Sequence, residues 1–136
     1  EKYMRLISFI CALFFLAAPI FAGDKEDIQA TISRQLEAFQ LDDFAEAFSY
    51  ASPSIQSIFG GPANFESMVK RGYPMVWKPG KVTFLSVDPY HHGMAQNIQI
   101  FDRNKKAHYL RYYMVKLGES WKISGVEILP SSDFSV

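Results

Sequence analysis

The sequence predicts an α+β fold, with N-terminal helices packed on one face of a curved four-stranded antiparallel meander that forms a cone. Two observations lead there. In the first half, apolar residues recur at helical spacing. In the second half, the period changes to runs of β-branched and aromatic residues separated by short turns. Helices and strands in separate blocks indicate α+β, with the helices on the sheet. A length of 136 residues allows one domain. With 49% hydrophobic and 21% charged residues, the chain is expected to be ordered and globular.

The first segment reads as an address. The chain opens with Glu1, so Met4 is the expected natural start. Arg5 then precedes an uncharged stretch, Leu6 to Gly23. A basic start, an apolar run and a small final residue describe a secretory signal peptide cut after Ala22. The alternative is an uncleaved membrane anchor, since the run is near the minimum of about 18 residues for a spanning helix. The lone cysteine, Cys11, lies in this segment. The domain, expected over residues 23–130 with a polar tail over 131–136, therefore has no disulfide and no thiolate. As an exported protein it must be stabilised by its core alone.

In the domain, Asp24 is expected to cap a helix starting at Lys25, whose Ile28, Ile32, Leu36 and Phe39 share one face. Asp43 with Glu46 resembles a capping box, opening a helix with an apolar stripe at Phe44, Ala47, Phe48 and Ala51. Ser52-Pro53 is a cap and first-turn pair for a third helix, stopped at Gly60. Pro62 opens a fourth, bearing Phe65, Met68 and Val69 and closed at Gly72. Tyr73 to Gly80 is expected as an aromatic loop, either an exposed binding lip carrying Tyr73 and Trp77 or a buried plug. Strands are expected at Val82–Asp88, Met94–Phe101, Ala107–Leu117 and Trp121–Leu129.

Hairpin turns then set the register. A three-residue loop, Gly118-Glu119-Ser120, pairs Leu117 with Trp121, Val115 with Ile123, Tyr113 with Gly125, and Arg111 with Glu127. A two-residue turn at Arg103-Asn104 pairs Ile98 with Tyr109, Gln96 with Arg111, and Met94 with Tyr113. One face then collects Met94, Ile98, Ile100, Tyr109, Tyr113, Val115, Leu117, Trp121, Ile123 and Leu129. Only the row Gln96, Arg111, Glu127 is polar there. Few polar groups within an apolar wall suit a small-molecule pocket. Arg111 would meet a carboxylate or other planar anion, and a desolvated Glu127 could act as an acid or base. The competing reading is an ion pair that only orders the sheet.

Several residue groups together carry a resemblance: Asp42-Asp43, Ala47-Phe48, Ala51-Ser52-Pro53, Ile55-Gln56, Phe59-Gly60, Phe65, Met68-Val69, Gly72-Tyr73-Pro74 and Trp121-x-Ile123-x-Gly125. The sequence resembles a bacterial family named domain of unknown function 4864 from about Ile28 to Leu129. Its order of helices and strands is similar to the nuclear transport factor 2-like (SnoaL-like) cone, also described as cystatin-like. That resemblance implies a sheet wrapped on a long helix with a pocket between. The superfamily holds isomerases, dehydratases, binding domains and adaptors, so it implies no single chemistry.

Other signals point to structure rather than chemistry. No nucleophile elbow, phosphate-binding loop or zinc-protease motif occurs. Asp42-Asp43 reads as capping and Phe59-Gly60-Gly61-Pro62 as helix stop and restart. His91-His92, even with Asp88, does not suggest a metal, because adjacent extended residues point apart. His108 stands alone. No metal or cofactor is expected. Lys plus Arg and Asp plus Glu are both 14, which argues against nucleic-acid binding. The expected role is a periplasmic or secreted noncatalytic domain binding a small molecule or protein partner, with Gln96, Arg111, Glu127, Tyr113, Tyr73 and Trp77 as ligand contacts. One alternative is an isomerase or lyase with Glu127 as general base, and Arg111 or a tyrosine stabilising the developing anion. Another is a membrane-tethered accessory subunit, which requires the leader to be kept. A homodimer is compatible with the sequence.

Overall fold

A computed structural model of the chain describes the backbone of residues 19–131 and the side chains of residues 23–131. Most of the expected leader, and the tail beyond Ser131, lie outside the described residues. Five helices come first: α1 Pro19–Gln40, α2 Phe44–Ser49, α3 Pro53–Phe59, α4 Pro62–Gly72 and α5 Pro74–Trp77. Four strands follow: β1 Val82–Tyr90, β2 Gly93–Phe101, β3 Ala107–Leu117 and β4 Ser120–Leu129. They form an antiparallel meander in the order β1-β2-β3-β4, open at both edges. The α+β prediction holds.

The predicted stripe Ile28, Ile32, Leu36 and Phe39 is buried and lays α1 on the sheet. Helix α1, however, starts at Pro19, and Asp24 lies inside it rather than capping it. Proline is itself favoured in a first helical turn, and the Asp24 carboxylate instead accepts hydrogen bonds from Trp121 Nε1 (3.3 Å) and Lys116 Nζ (3.2 Å). Among the described residues, no helix is long and apolar enough to cross a membrane. Asp43 caps α2 by accepting from the Glu46 N–H at 3.1 Å. Only this half of the capping box forms, because the Asp43 N–H donates to the Ala38 carbonyl. Ser52 caps α3, which ends at Gly60.

The Tyr73–Gly80 segment is not a plain loop, since it contains α5. Met75 and Val76 are 6% and 4% exposed, so this part acts as a plug. Pro74 opens this short helix, and Met75 and Val76 directly after it join the core.

The sheet corrects the predicted register in two places. The β2–β3 connection is Asp102 to Lys106, not a two-residue turn, and Lys105 takes a left-handed conformation in it (φ 64°). Asp102 Oδ1 accepts from the backbone N–H groups of Asn104 (2.8 Å) and Lys106 (3.0 Å), which holds the wider loop. The resulting one-residue slip pairs Gln96 with Tyr112, Asn97 with Arg111, and Met94 with Met114. Every β3 side chain thereby changes face relative to β2.

The β3–β4 loop is two residues, Gly118-Glu119, with Gly118 at φ 62°, a conformation that favours glycine. Leu117 therefore faces Ser120 and Lys116 faces Trp121. An extra residue, Ser124, then bulges between Met114–Ile123 and Tyr113–Gly125. The bulge cancels the shorter loop, so Tyr113–Gly125 and Arg111–Glu127 pair as expected. The inner face carries Gln96, Ile98, Ile100, Leu110, Tyr112, Met114, Trp121 and Ile123, all buried. Tyr109, Arg111, Tyr113 and Glu127 belong to the opposite face.

Candidate functional site

The segment between α2 and α3 is clipped to the edge strand. Ser52 N–H donates to the Ile123 carbonyl (2.8 Å), and Ile123 N–H donates to the Tyr50 carbonyl (2.9 Å). Directly after this clip, Ser124 bulges and its hydroxyl donates to the Tyr113 carbonyl. A bulge bends a strand and increases its twist. Gly125 follows it without a side chain. A cavity of about 340 Å³ lies over this stretch.

Its floor is Tyr112, Ile123, Gly125 and Val126; its roof is Gln35 and Phe39 of α1. Ala51, with Ile55 and Phe59 of α3, closes one side, and Phe65, Met68 and Val69 of α4 another. Tyr73 and Val76 complete it. The inner rings form a stacked and edge-on group, with Phe65 lying 5.9 Å from Phe39, 5.3 Å from Phe48 and 5.9 Å from Phe59 between centroids. Ile55, Phe59, Met68 and Val126 are only partly buried and form the mouth.

Three polar groups reach this wall. The Tyr73 hydroxyl donates to the Val126 carbonyl at 3.0 Å. Gln35 is 4% exposed and donates through Nε2 to the Ala47 carbonyl at 3.1 Å. Tyr112 is 1% exposed, and burial, with Tyr73 beside it, pushes its phenol well above the ordinary tyrosine value. The cavity lining includes no carboxylate, lysine, arginine or histidine.

Of the six predicted ligand contacts, Tyr73 alone lines this cavity. The predicted polar row is split between the two faces of the sheet. Gln96 is fully buried on the helix side. Its Nε2 donates to the Leu85, Ser86 and Asn97 carbonyls at 3.3, 3.2 and 2.8 Å, and its Oε1 accepts from Gln29. Leu85 and Ser86 are the residues where β1 bulges opposite Asn97. The Gln96 amide thus satisfies carbonyls that the ladder leaves unpaired.

Arg111 and Glu127 sit on the outer face, with side chains 36% and 52% exposed and a nitrogen–oxygen distance of 3.7 Å. Arg111 Nε donates to Asn97 Oδ1 at 3.0 Å. The Tyr113 hydroxyl donates to Glu127 at 2.7 Å, and this bond raises the Tyr113 phenol above its ordinary value. The proposed base and its arginine therefore lie across the sheet from the cavity. The slip at the β2–β3 loop is the cause, because it turned Arg111 outward and Tyr112 inward.

Trp77 is also elsewhere. Its Nε1 donates to Asp42 Oδ1 at 2.7 Å, which with Lys78 holds the Asp42 carboxyl below its ordinary value. Lys70 and Arg103 stand 4.6 and 5.0 Å from the Trp77 ring centre. His91 and His92 form the exposed β1–β2 turn, and the Tyr90 and His91 rings meet edge-on. His108 pairs with Asp102 at 2.8 Å. Among the described residues, no group of three His, Cys, Asp or Glu is placed to hold a metal ion.

Sequence reasoning missed Gln35 and Tyr112. Gln35 had a signal, since it falls on the buried helical face between Ile32 and Phe39 and is polar. Tyr112 had none without the loop length. No curated protein matches the chain. The family model for domain of unknown function 4864 matches residues 22–136, which takes in both walls of the cavity, and the chain belongs to that family.

Proposed function

We propose that this protein is an exported, noncatalytic domain that holds a small, mainly apolar molecule in the cavity between β3–β4 and helices α1, α3 and α4. The observation that carries the reading is the cavity. Protein interiors are close-packed, with few voids larger than a water molecule. A half-open space of about 340 Å³ between the helices and the sheet of so small a domain falls within the size range of ligand pockets. Its wall is apolar with a few polar groups, the usual composition of such sites. The lining offers no general acid, base or nucleophile beyond two tyrosines, which favours binding over catalysis.

Titration with the neutral dye N-phenyl-1-naphthylamine tests the reading. Saturable fluorescence enhancement at one site per chain is expected. Ile55→Trp, at the half-buried mouth, should abolish it while leaving the thermal unfolding midpoint close to wild type. Dye binding unchanged by Ile55→Trp would exclude the cavity as the site. Export rests on the uncharged run after Arg5. The intact mass of protein recovered from the cell envelope should correspond to a chain starting at Gly23. A retained leader, extracted only by detergent, would overturn this part.

A further inference from the structure

The cavity wall contains two unused hydrogen-bonding atoms. Gln35 spends its amide N–H on Ala47, and its Oε1 accepts from none of the described residues. Tyr112 is 1% exposed, yet its hydroxyl bonds to none of them. No fully sealed side-chain polar atom among the described residues lacks a partner. Both residues line the cavity. A buried hydroxyl without a partner is costly, and such groups are normally satisfied. Here the rest of the wall leaves it unmet: Phe39, Ile55, Phe65 and Val69 offer no polar side-chain atom, and the Tyr73 hydroxyl is engaged with the Val126 carbonyl.

From this geometry we infer that the cavity selects a neutral, apolar ligand bearing a hydroxyl or similar uncharged polar group, with the Tyr112 hydroxyl and Gln35 Oε1 as its polar anchors. The inference rests on the cavity being the binding site and adds the ligand class. A hydroxyl suits both atoms, since it accepts from Tyr112 and donates to Gln35 Oε1. A carboxylate does not. Arg111, the nearest candidate cation in the sequence reading, lies on the outer face, so a bound anion would be buried without a counter-charge. A pure hydrocarbon fits the wall but leaves both polar atoms unmet.

A matched series decides it: naphthalene, 2-naphthol and 2-naphthoate, titrated at neutral pH against wild type and Tyr112→Phe with displacement of N-phenyl-1-naphthylamine as the readout. In wild type, 2-naphthol should bind about three- to tenfold more tightly than naphthalene, the effect of one net hydrogen bond. 2-Naphthoate should bind at least about a hundredfold more weakly than 2-naphthol. In Tyr112→Phe, the advantage of 2-naphthol over naphthalene should vanish while naphthalene binds within about twofold of wild type. The wild-type ranking stands as evidence even if the variant folds poorly. If naphthalene binds but 2-naphthoate binds equally well, or if Tyr112→Phe keeps the 2-naphthol advantage, the ligand class is wrong and the cavity reading survives. If neither naphthalene nor the dye binds wild type, both fall.

Discussion

Glu127 and Gln96 illustrate how exposure decides the weight of a polar contact. Had Arg111 and Glu127 been buried together, removing Glu127 would cost about 3–5 kcal/mol by stranding the arginine. Both side chains are instead at least a third exposed. Glu127→Ala should therefore cost under about 1 kcal/mol in urea unfolding. A loss of several kcal/mol would place the pair in the core. Gln96 is the opposite case. Its amide satisfies three carbonyls in a fully buried position. Gln96→Leu keeps the volume but leaves bulge carbonyls without a donor, and should cost about 1–3 kcal/mol. An unfolding midpoint equal to wild type would show that water or a shifted β1 replaces the amide.

The β1–β2 hairpin is the element most dependent on one residue. The tight turn His91-His92 brings Gly93 against β3. A Cβ built on Gly93 would collide with the Met114 carbonyl, which is backbone and cannot rotate away. Gly93→Ala should therefore shift β2 against β3 or open the end of the hairpin. The expected result is a lowered melting temperature, with amide exchange accelerated at Met94 and Met114 and α1 protection largely retained. Gly72→Ala serves as the control, since its added Cβ meets nothing nearby. Equal destabilisation by the two variants would remove the steric explanation.

At the scale of the whole fold, two carboxylates among the described residues link stability to acid. Asp102 bonds first to His108 and also to the Lys106 N–H, which holds its carboxyl below the ordinary 3.8. Asp42 is lowered chiefly by Trp77, then by Lys78. In both cases the unfolded chain takes up a proton before the folded chain does. Their stabilising contribution is therefore present above pH 3.8 and is lost as pH falls through the lower folded-state values. The melting temperature should drop more steeply below about pH 4 in wild type than in Asp102→Asn. Parallel pH profiles would show that Asp102 contributes nothing to the acid response. Because Asp42 ties α5 to the end of α1, and Asp102 ties the β2–β3 loop, acid should loosen this end before the α1 core.

The sequence by itself determined the class of fold and most element boundaries. The stripe Ile28, Ile32, Leu36 and Phe39, the Asp43 and Ser52 caps and the stop at Gly60 depend on interactions within a few residues, so local pattern suffices. It also supplied the pairs Tyr113–Gly125 and Arg111–Glu127, although through two opposing differences: a loop one residue shorter than expected and a bulge at Ser124. The tertiary structure alone decided which face Arg111 and Tyr112 occupy. A strand has a period of two, so one residue in the β2–β3 loop reverses every side chain that follows. That loop length is set by the Asp102 hydrogen bonds to Asn104 and Lys106. The cavity was likewise not legible. Its wall joins α1, α3, α4 and β4, distant in sequence, and it opens where the Ser52–Ile123 clip and the Ser124 bulge shape the edge of the sheet.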